Sequence, residues 1–204
     1  SKWLIPYECF SYLRDKYKTA NYNFWHEHAK YQPDVLDKII SHNRSAKREI
    51  YFYLFLQYIA HQQLLSAKKY AQSKRVALKG DIPIGINKYS VEAWTEPNLF
   101  NLNMQTGAPP DDFAEFGQNW GCPTYNWEAM AKDNYDWWRR RLENMSEYFD
   151  AYRIDHILGF FRIWEIPLSH RQAILGHFNP ALPFTEEDFN YFKFKFDKER
   201  MTKP

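Results

Sequence analysis

At 204 residues the chain has room for one or two domains. Its 27 basic and 25 acidic residues leave a net charge of +2, too balanced for the basic footprint of a nucleic-acid binder. No apolar run is long enough to span a bilayer, and no signal or transit segment opens the chain.

Hydrophobic residues are 45% of the total, enough for a sizeable core. Aromatics reach 19%, with 8 Trp, 15 Tyr and 16 Phe, which has two common meanings. One is a heavy core; the other is a set of platforms for flat-faced ligands such as sugars. Cys9 and Cys122 are the only cysteines, with no CxxC and no disulfide-scaffold spacing. A reducing, cytoplasmic compartment is the expectation. The chain starts at Ser1 without Met and stops at Pro204 on a polar tail, as a piece of something longer would.

Residues 1–33 are aromatic and charged, with a short helix expected over 11–18 and a loop or turn over 22–25. His26-Glu27-His28 invites a metal site, but two His at i, i+2 converge only on a strand and no second ligand cluster follows, so none is assigned. A short helix is expected over 34–41. The longest helix falls over about 45–73, with Ile50, Leu54, Tyr58 and Leu65 near one face. Residues 75–79 then read as a short buried strand. Gly80-Asp81-Ile82-Pro83-Ile84-Gly85 ends it, because proline stops a ladder, and Asp81 lands on the strand's C-terminal rim.

Residues 87–126 are rich in Gly, Pro and Asn and read as one long loop. Loops of that length are functional or disordered, and the aromatic content, with Trp94, Phe100, Phe113, Phe116, Trp120 and Tyr125 among it, argues against disorder. A helix is expected over 128–148, capped by Asn126, with Trp137, Trp138, Leu142, Met145 and Tyr148 near one side. The run 148–152 is short and apolar, as a buried parallel strand would be. Arg153 and Asp155 follow. Residues two apart on a strand share a face, so the guanidinium sits beside the carboxylate and favours its ionised form. Such a carboxylate at the C-terminal end of a strand is either a catalytic group or one half of a buried structural ion pair. After Pro167 the pattern changes. Residues 169–178 read as helical, Asn179-Pro180 and Pro183 break the run, and Thr185-Glu186-Glu187-Asp188 starts a helix. Phe192-Lys193-Phe194-Lys195-Phe196 alternates as an edge strand would.

Four motifs in order carry a resemblance: Gly80-Asp81-Ile82-Pro83, Gly107-Ala108-Pro109-Pro110-Asp111, Gly117-Gln118-Asn119-Trp120-Gly121 and Arg153-Ile154-Asp155-His156. Over about 48–167 the chain resembles the 4-α-glucanotransferases, the amylomaltase or disproportionating-enzyme family of glycoside hydrolases, and most of all their type-two members. The resemblance implies an α/β fold, part of a (β/α)8 barrel with long rim loops. A complete barrel needs about 250 residues, more than this chain has. It implies residues 1–167 as the barrel region and 168–204 as the start of an insertion. Asp155 falls on the family's nucleophile and Arg153 on the arginine that keeps it ionised. Asp81 falls on a polar residue at a neighbouring strand end, and His156 follows the nucleophile as it does in the family. Asp111 and Phe113 fall on the loop covering the acceptor side, and Trp120 on an aromatic of the substrate groove. Asp112 and Cys122 depart from the usual residues, an aromatic at the first position and Asn or Phe at the second.

The implied substrate is an α-1,4-glucan or maltose, with no cofactor, metal, nucleic-acid or membrane partner. A retaining enzyme of this kind uses a second carboxylate as acid/base, about 5–5.5 Å from the nucleophile. In the family that residue lies in a Glu-Asp-Leu-Gly-like motif, which the sequence after Asp155 does not contain; Glu165 comes too soon. This chain alone is therefore expected not to turn over, and its missing strands to leave sheet edges open to self-association. Two other readings stand beside the enzyme: a carbohydrate-binding module that uses its aromatics without catalysis, and a structural domain in which Arg153 and Asp155 are merely paired.

Overall fold

The computed structural model describes residues 3–181, 185–193 and 195. Three helices open the chain: α1 (Leu4–Tyr17), α2 (Val35–His42) and α3 (Ala46–Ser73). Short 3-10 turns at Tyr22–Phe24 and His26–His28 connect the first two. The first helix is longer than the expected 11–18, because an apolar and aromatic stretch precedes Ser11 and buries Cys9, Phe10, Tyr12 and Leu13. In α3 the inward face carries Ala46 and Ile50, whereas Tyr58 points outward at 57% exposure. The expected face was off by one turn position at Tyr58.

The first strand, β1 (Lys79–Ile82), lies four residues later than expected. Arg75 takes φ 57° and closes α3, and the segment before Lys79 has no ladder partner. Pairing begins where β6 (Ala151–Ile154) begins: Lys79 faces Ala151 and Ile82 faces Ile154, in parallel. Asp150 fixes this start, accepting from Leu78 N at 3.0 Å and from Gln72 Nε2 at 2.9 Å. The strand leading to Asp155 is parallel as expected, but it is not buried. Ala151, Arg153 and Ile154 are exposed, because β1 and β6 form a two-stranded sheet with one free edge each among the described residues.

The presumed loop 87–126 holds α4 (Val91–Thr95), β2 (Phe100–Asn101), β3 (Met104–Ala108), β4 (Gln118–Asn119) and β5 (Thr124–Tyr125). β2 pairs with β5. β3 is central to an antiparallel sheet in the order β4-β3-β7-β8, with β7 at Ile163–Pro167 and β8 at His177–Asn179. Residues 169–178 are therefore not a helix. They hold a 3-10 turn at Ala173–Leu175 and the approach to β8, which pairs with β7.

The expected helix over 128–148 is two, α5 (Trp127–Ala131) and α6 (Asp136–Ser146). Asn134 and Tyr135 take φ 56° and 58° and break the run, and Asp133 Oδ1 accepts Asp136 N to start the second. Asn126 does cap α5, accepting from Ala129 N at 3.1 Å. Thr185 and Asp188 form a capping box on α7 (Glu186–Tyr191). Phe192 and Lys193 form a turn, with Lys193 at φ 53°, so no strand begins there; Phe194 and Phe196 lie outside the described residues.

Much of the aromatic excess is core. Trp25 is fully buried, with ring centroids 5.0 Å from Phe10 and 5.6 Å from Trp94. Buried indoles need a partner for their N–H. Trp25 donates to Thr19 O at 2.9 Å and Trp94 to His28 O at 3.0 Å. The segment considered for metal thus supports Trp94, and burial pushes the pKa of His28 down. A second aromatic layer joins Tyr125, Trp137, Trp138 and Phe160, and carries α6 against the strand ends.

Candidate active site

The site grows from the ends of two parallel strands. Asp81 on β1 and Arg153 on β6 are register partners. Arg153 Nη1 donates to Asp81 Oδ2 at 2.9 Å, and Nη2 donates to Asp155 Oδ1 at 2.5 Å. One planar guanidinium therefore bridges two carboxylates, a geometry its fork of donors fits and a lysine's single ammonium does not. Asp155 N donates to Ile82 O at 3.1 Å, which extends the ladder one residue past β6 and fixes the backbone beneath the carboxylate. The side chains of Arg153 and Asp155 are 56% and 45% exposed. The pair is therefore not a buried structural one.

His156 then takes φ 50° and turns the chain into a 3-10 segment, Ile157–Phe160. Its ring meets Trp120 edge-on, centroids 5.0 Å apart. Trp120 is held from β3: its N donates to Thr106 O at 2.9 Å, and Thr106 N donates to Cys122 O at 2.7 Å. Its indole N–H donates to Gln118 Oε1 at 3.1 Å. Asp155, His156 and Trp120 line one cleft of about 810 Å3, whose opposite wall is the loop from Pro83 to Tyr89.

Of the residues singled out from sequence, Asp155, His156 and Trp120 come together in this cleft, with Arg153 braced behind Asp155. Asp81 does not line it; its described partner is Arg153. Asp111 and Phe113 lie outside it as well. Asp111 Oδ1 accepts Phe113 N at 2.9 Å and Ala114 N at 2.7 Å, which makes a tight turn with the Phe113 ring 99% exposed. Glu165 is buried in β7, with Thr124 on one oxygen and Asn179 at 2.9 Å on the other, and does not face the cleft. Gly85, Lys88, Tyr89 and Cys122 line the cleft and were not singled out as site residues. The signal available for the loop was its place, directly after the strand that carries Asp81. Among the described residues no group of His, Cys, Asp and Glu could hold a metal ion, and no helix is long and apolar enough to cross a membrane.

The sequence model of glycoside hydrolase family 77, described as 4-alpha-glucanotransferase, matches residues 1–202. The 4-alpha-glucanotransferase DPE2 of Oryza sativa subsp. japonica is 46% identical over 203 residues, covering 100% of this chain and 21% of its own length. The 4-alpha-glucanotransferase of Chlamydia pneumoniae is 38% identical over 184 residues, covering 89% of this chain and 33% of its own. The amylomaltase of Streptococcus agalactiae, solved in complex with acarbose, superposes with a TM-score of 0.79 at 29% identity, over 99% of this chain and 40% of that one. The chain thus spans well under half the length of these relatives. With residues 1–202 matched by the family's model, the chain belongs to glycoside hydrolase family 77, the 4-alpha-glucanotransferases.

Proposed function

We propose that this chain carries the nucleophile side of a 4-α-glucanotransferase site. The observation behind the reading is the fork of Arg153 across Asp81 and Asp155 at the end of β6, beside a cleft walled by Trp120 and His156. Asp155 attacks the anomeric carbon of an α-1,4-linked donor. The glycosidic C–O bond breaks, and the departing sugar oxygen takes a proton from an acid/base carried outside these 204 residues. A second sugar hydroxyl then attacks the glucosyl ester, returning its proton to the same base and freeing Asp155. The aromatic wall favours a sugar over water in that step. The turn at Asp111 presents the Phe113 ring to the acceptor.

In this reading β1 and β6 are two adjacent strands of a (β/α)8 barrel, the antiparallel sheet belongs to its rim, and the chain after Pro167 begins an insertion. The chain by itself does not turn over. The protein works in a reducing, cytoplasmic setting, in keeping with the free thiols of Cys9 and Cys122. The test is the intact mass of the full-length protein after exposure to α-glucosyl fluoride, beside its Asp155→Asn variant. Fluoride leaves with little acid help, so a positioned nucleophile traps the sugar. A glucosyl adduct on Asp155, absent in the variant, is expected. A folded wild type that stays unmodified, or an adduct mapped elsewhere, overturns the assignment.

A further inference from the structure

The two walls of the cleft come together closely at Gly85 and Cys122. Gly85 sits on the loop after β1, and Cys122 on the connection between β4 and β5. A Cβ built on Gly85 would lie 2.3 Å from Cys122 Sγ and 2.7 Å from Cys122 Cβ, closer than any side chain tolerates. The described glycines with positive φ are Gly117 and Gly121, so Gly85 is not there for its backbone freedom. What this position uses is the missing Cβ. The volume at residues 85 and 122 is shared, and one holds a side chain because the other has none.

Cys122 is tied in turn to the aromatic wall. Its carbonyl accepts from Thr106, whose own carbonyl accepts from Trp120, and Trp120 meets His156 next to Asp155. A push at Gly85 therefore bears on Cys122, whose backbone is bonded through Thr106 to that of Trp120, the ring packed on His156. Burial raises the thiol's pKa, so Cys122 acts here as a small neutral filler.

We propose that the Gly85–Cys122 contact is a specificity-determining element of the cleft: it sets the gap between the Pro83–Tyr89 loop and Trp120, and so which glucan chains fit. The proposal rests on the glucanotransferase reading above. Neither residue is a catalytic group; both act by position.

The experiment uses the full-length protein and three variants: Gly85→Ala, Cys122→Gly, and the swap that combines them. kcat and KM are measured with maltotriose and with maltoheptaose as donors, and Kd for maltoheptaose by calorimetry. Gly85→Ala is expected to raise KM about tenfold with kcat within about twofold, and the swap to bring KM back to within about threefold of wild type, as coupled neighbours do. Cys122→Gly widens the gap and is expected to change the maltotriose-to-maltoheptaose ratio of KM by about threefold. That variant and the swap keep the test decisive if Gly85→Ala fails to fold. Equal KM values in all four proteins overturn the proposal. So do single effects that simply multiply in the swap, or a fall in kcat with KM unmoved. A wild type that binds maltoheptaose without transferring overturns the transferase reading alone, and the four Kd values then decide the contact. A wild type that does not bind overturns both.

Discussion

Replacing Asp155 with Asn removes one charge from the Asp81–Arg153–Asp155 cluster and keeps its shape. With side chains 56% and 45% exposed, the Arg153–Asp155 pair is screened by solvent despite its direct hydrogen bond. Exposed pairs of this kind contribute about 0–1 kcal/mol, against roughly 3–5 kcal/mol lost when one partner of a buried pair is removed. Arg153 also keeps Asp81 at 2.9 Å, so its guanidinium is not left alone. The expected cost of Asp155→Asn in urea unfolding of this chain, followed by tryptophan emission, is therefore under about 1 kcal/mol. Transfer by the full-length protein is expected to fall by at least ~10³-fold, since no covalent path remains. A destabilisation above about 3 kcal/mol would return the cluster to a structural role. Transfer within about tenfold of wild type would take Asp155 out of the chemistry.

Trp25→Ala empties a fully buried site that four aromatic rings surround, and is expected to cost about 3–5 kcal/mol in urea unfolding. Asn126→Ala removes the cap on Ala129 N and is expected to cost about 1 kcal/mol in the same assay, with the far-ultraviolet spectrum nearly unchanged. The pKa of Asp150 is held below the usual carboxylate range, first by the Leu78 N–H and then by the Gln72 amide. A depressed carboxylate stabilises the fold above its unfolded pKa of about 3.9, and that contribution disappears as pH falls through the lower folded value. Melting of wild type and Asp150→Asn should differ by a constant amount at neutral pH and converge in acid below about pH 4. A gap that persists unchanged to pH 3 would show that the ionised carboxylate of Asp150 is not what anchors the β1–β6 start.

The local signals were readable where a single short stretch decides the outcome. The long helix ending at Ser73, the Asn126 cap and the Thr185 capping box are each set by residues within a few positions of one another. The antiparallel sheet was not readable. β4 has two residues and β8 three, both lie near Gly or Pro, and the central pairing joins residues far apart in sequence, Met104 with Pro167 and Gly107 with Trp164. The displacement of β1 has the same origin. Residues 75–78 are as strand-like as the true strand, and only the partner on β6 decides where pairing begins. At the site, the motif around Arg153 named the charge cluster because strand periodicity puts i and i+2 together. The opposite wall is a loop, and no periodicity announces which of its side chains turn inward. The Phe192–Phe196 alternation shows the converse, a strand pattern whose first two residues make a turn.

The bridging guanidinium makes three positions on two strands answer to one another. In a parallel ladder a slip of one residue turns every side chain to the other face. Arg153 would then stand opposite Gly80 or Ile82, with Asp81 out of reach, while Asp155, two residues along the same strand, would move with it. Correct strand registration and assembly of the charge cluster are thus a single folding event. The three charges do not depend on one another equally: losing either carboxylate leaves the guanidinium paired with the other, whereas losing Arg153 leaves two carboxylates without their shared cation.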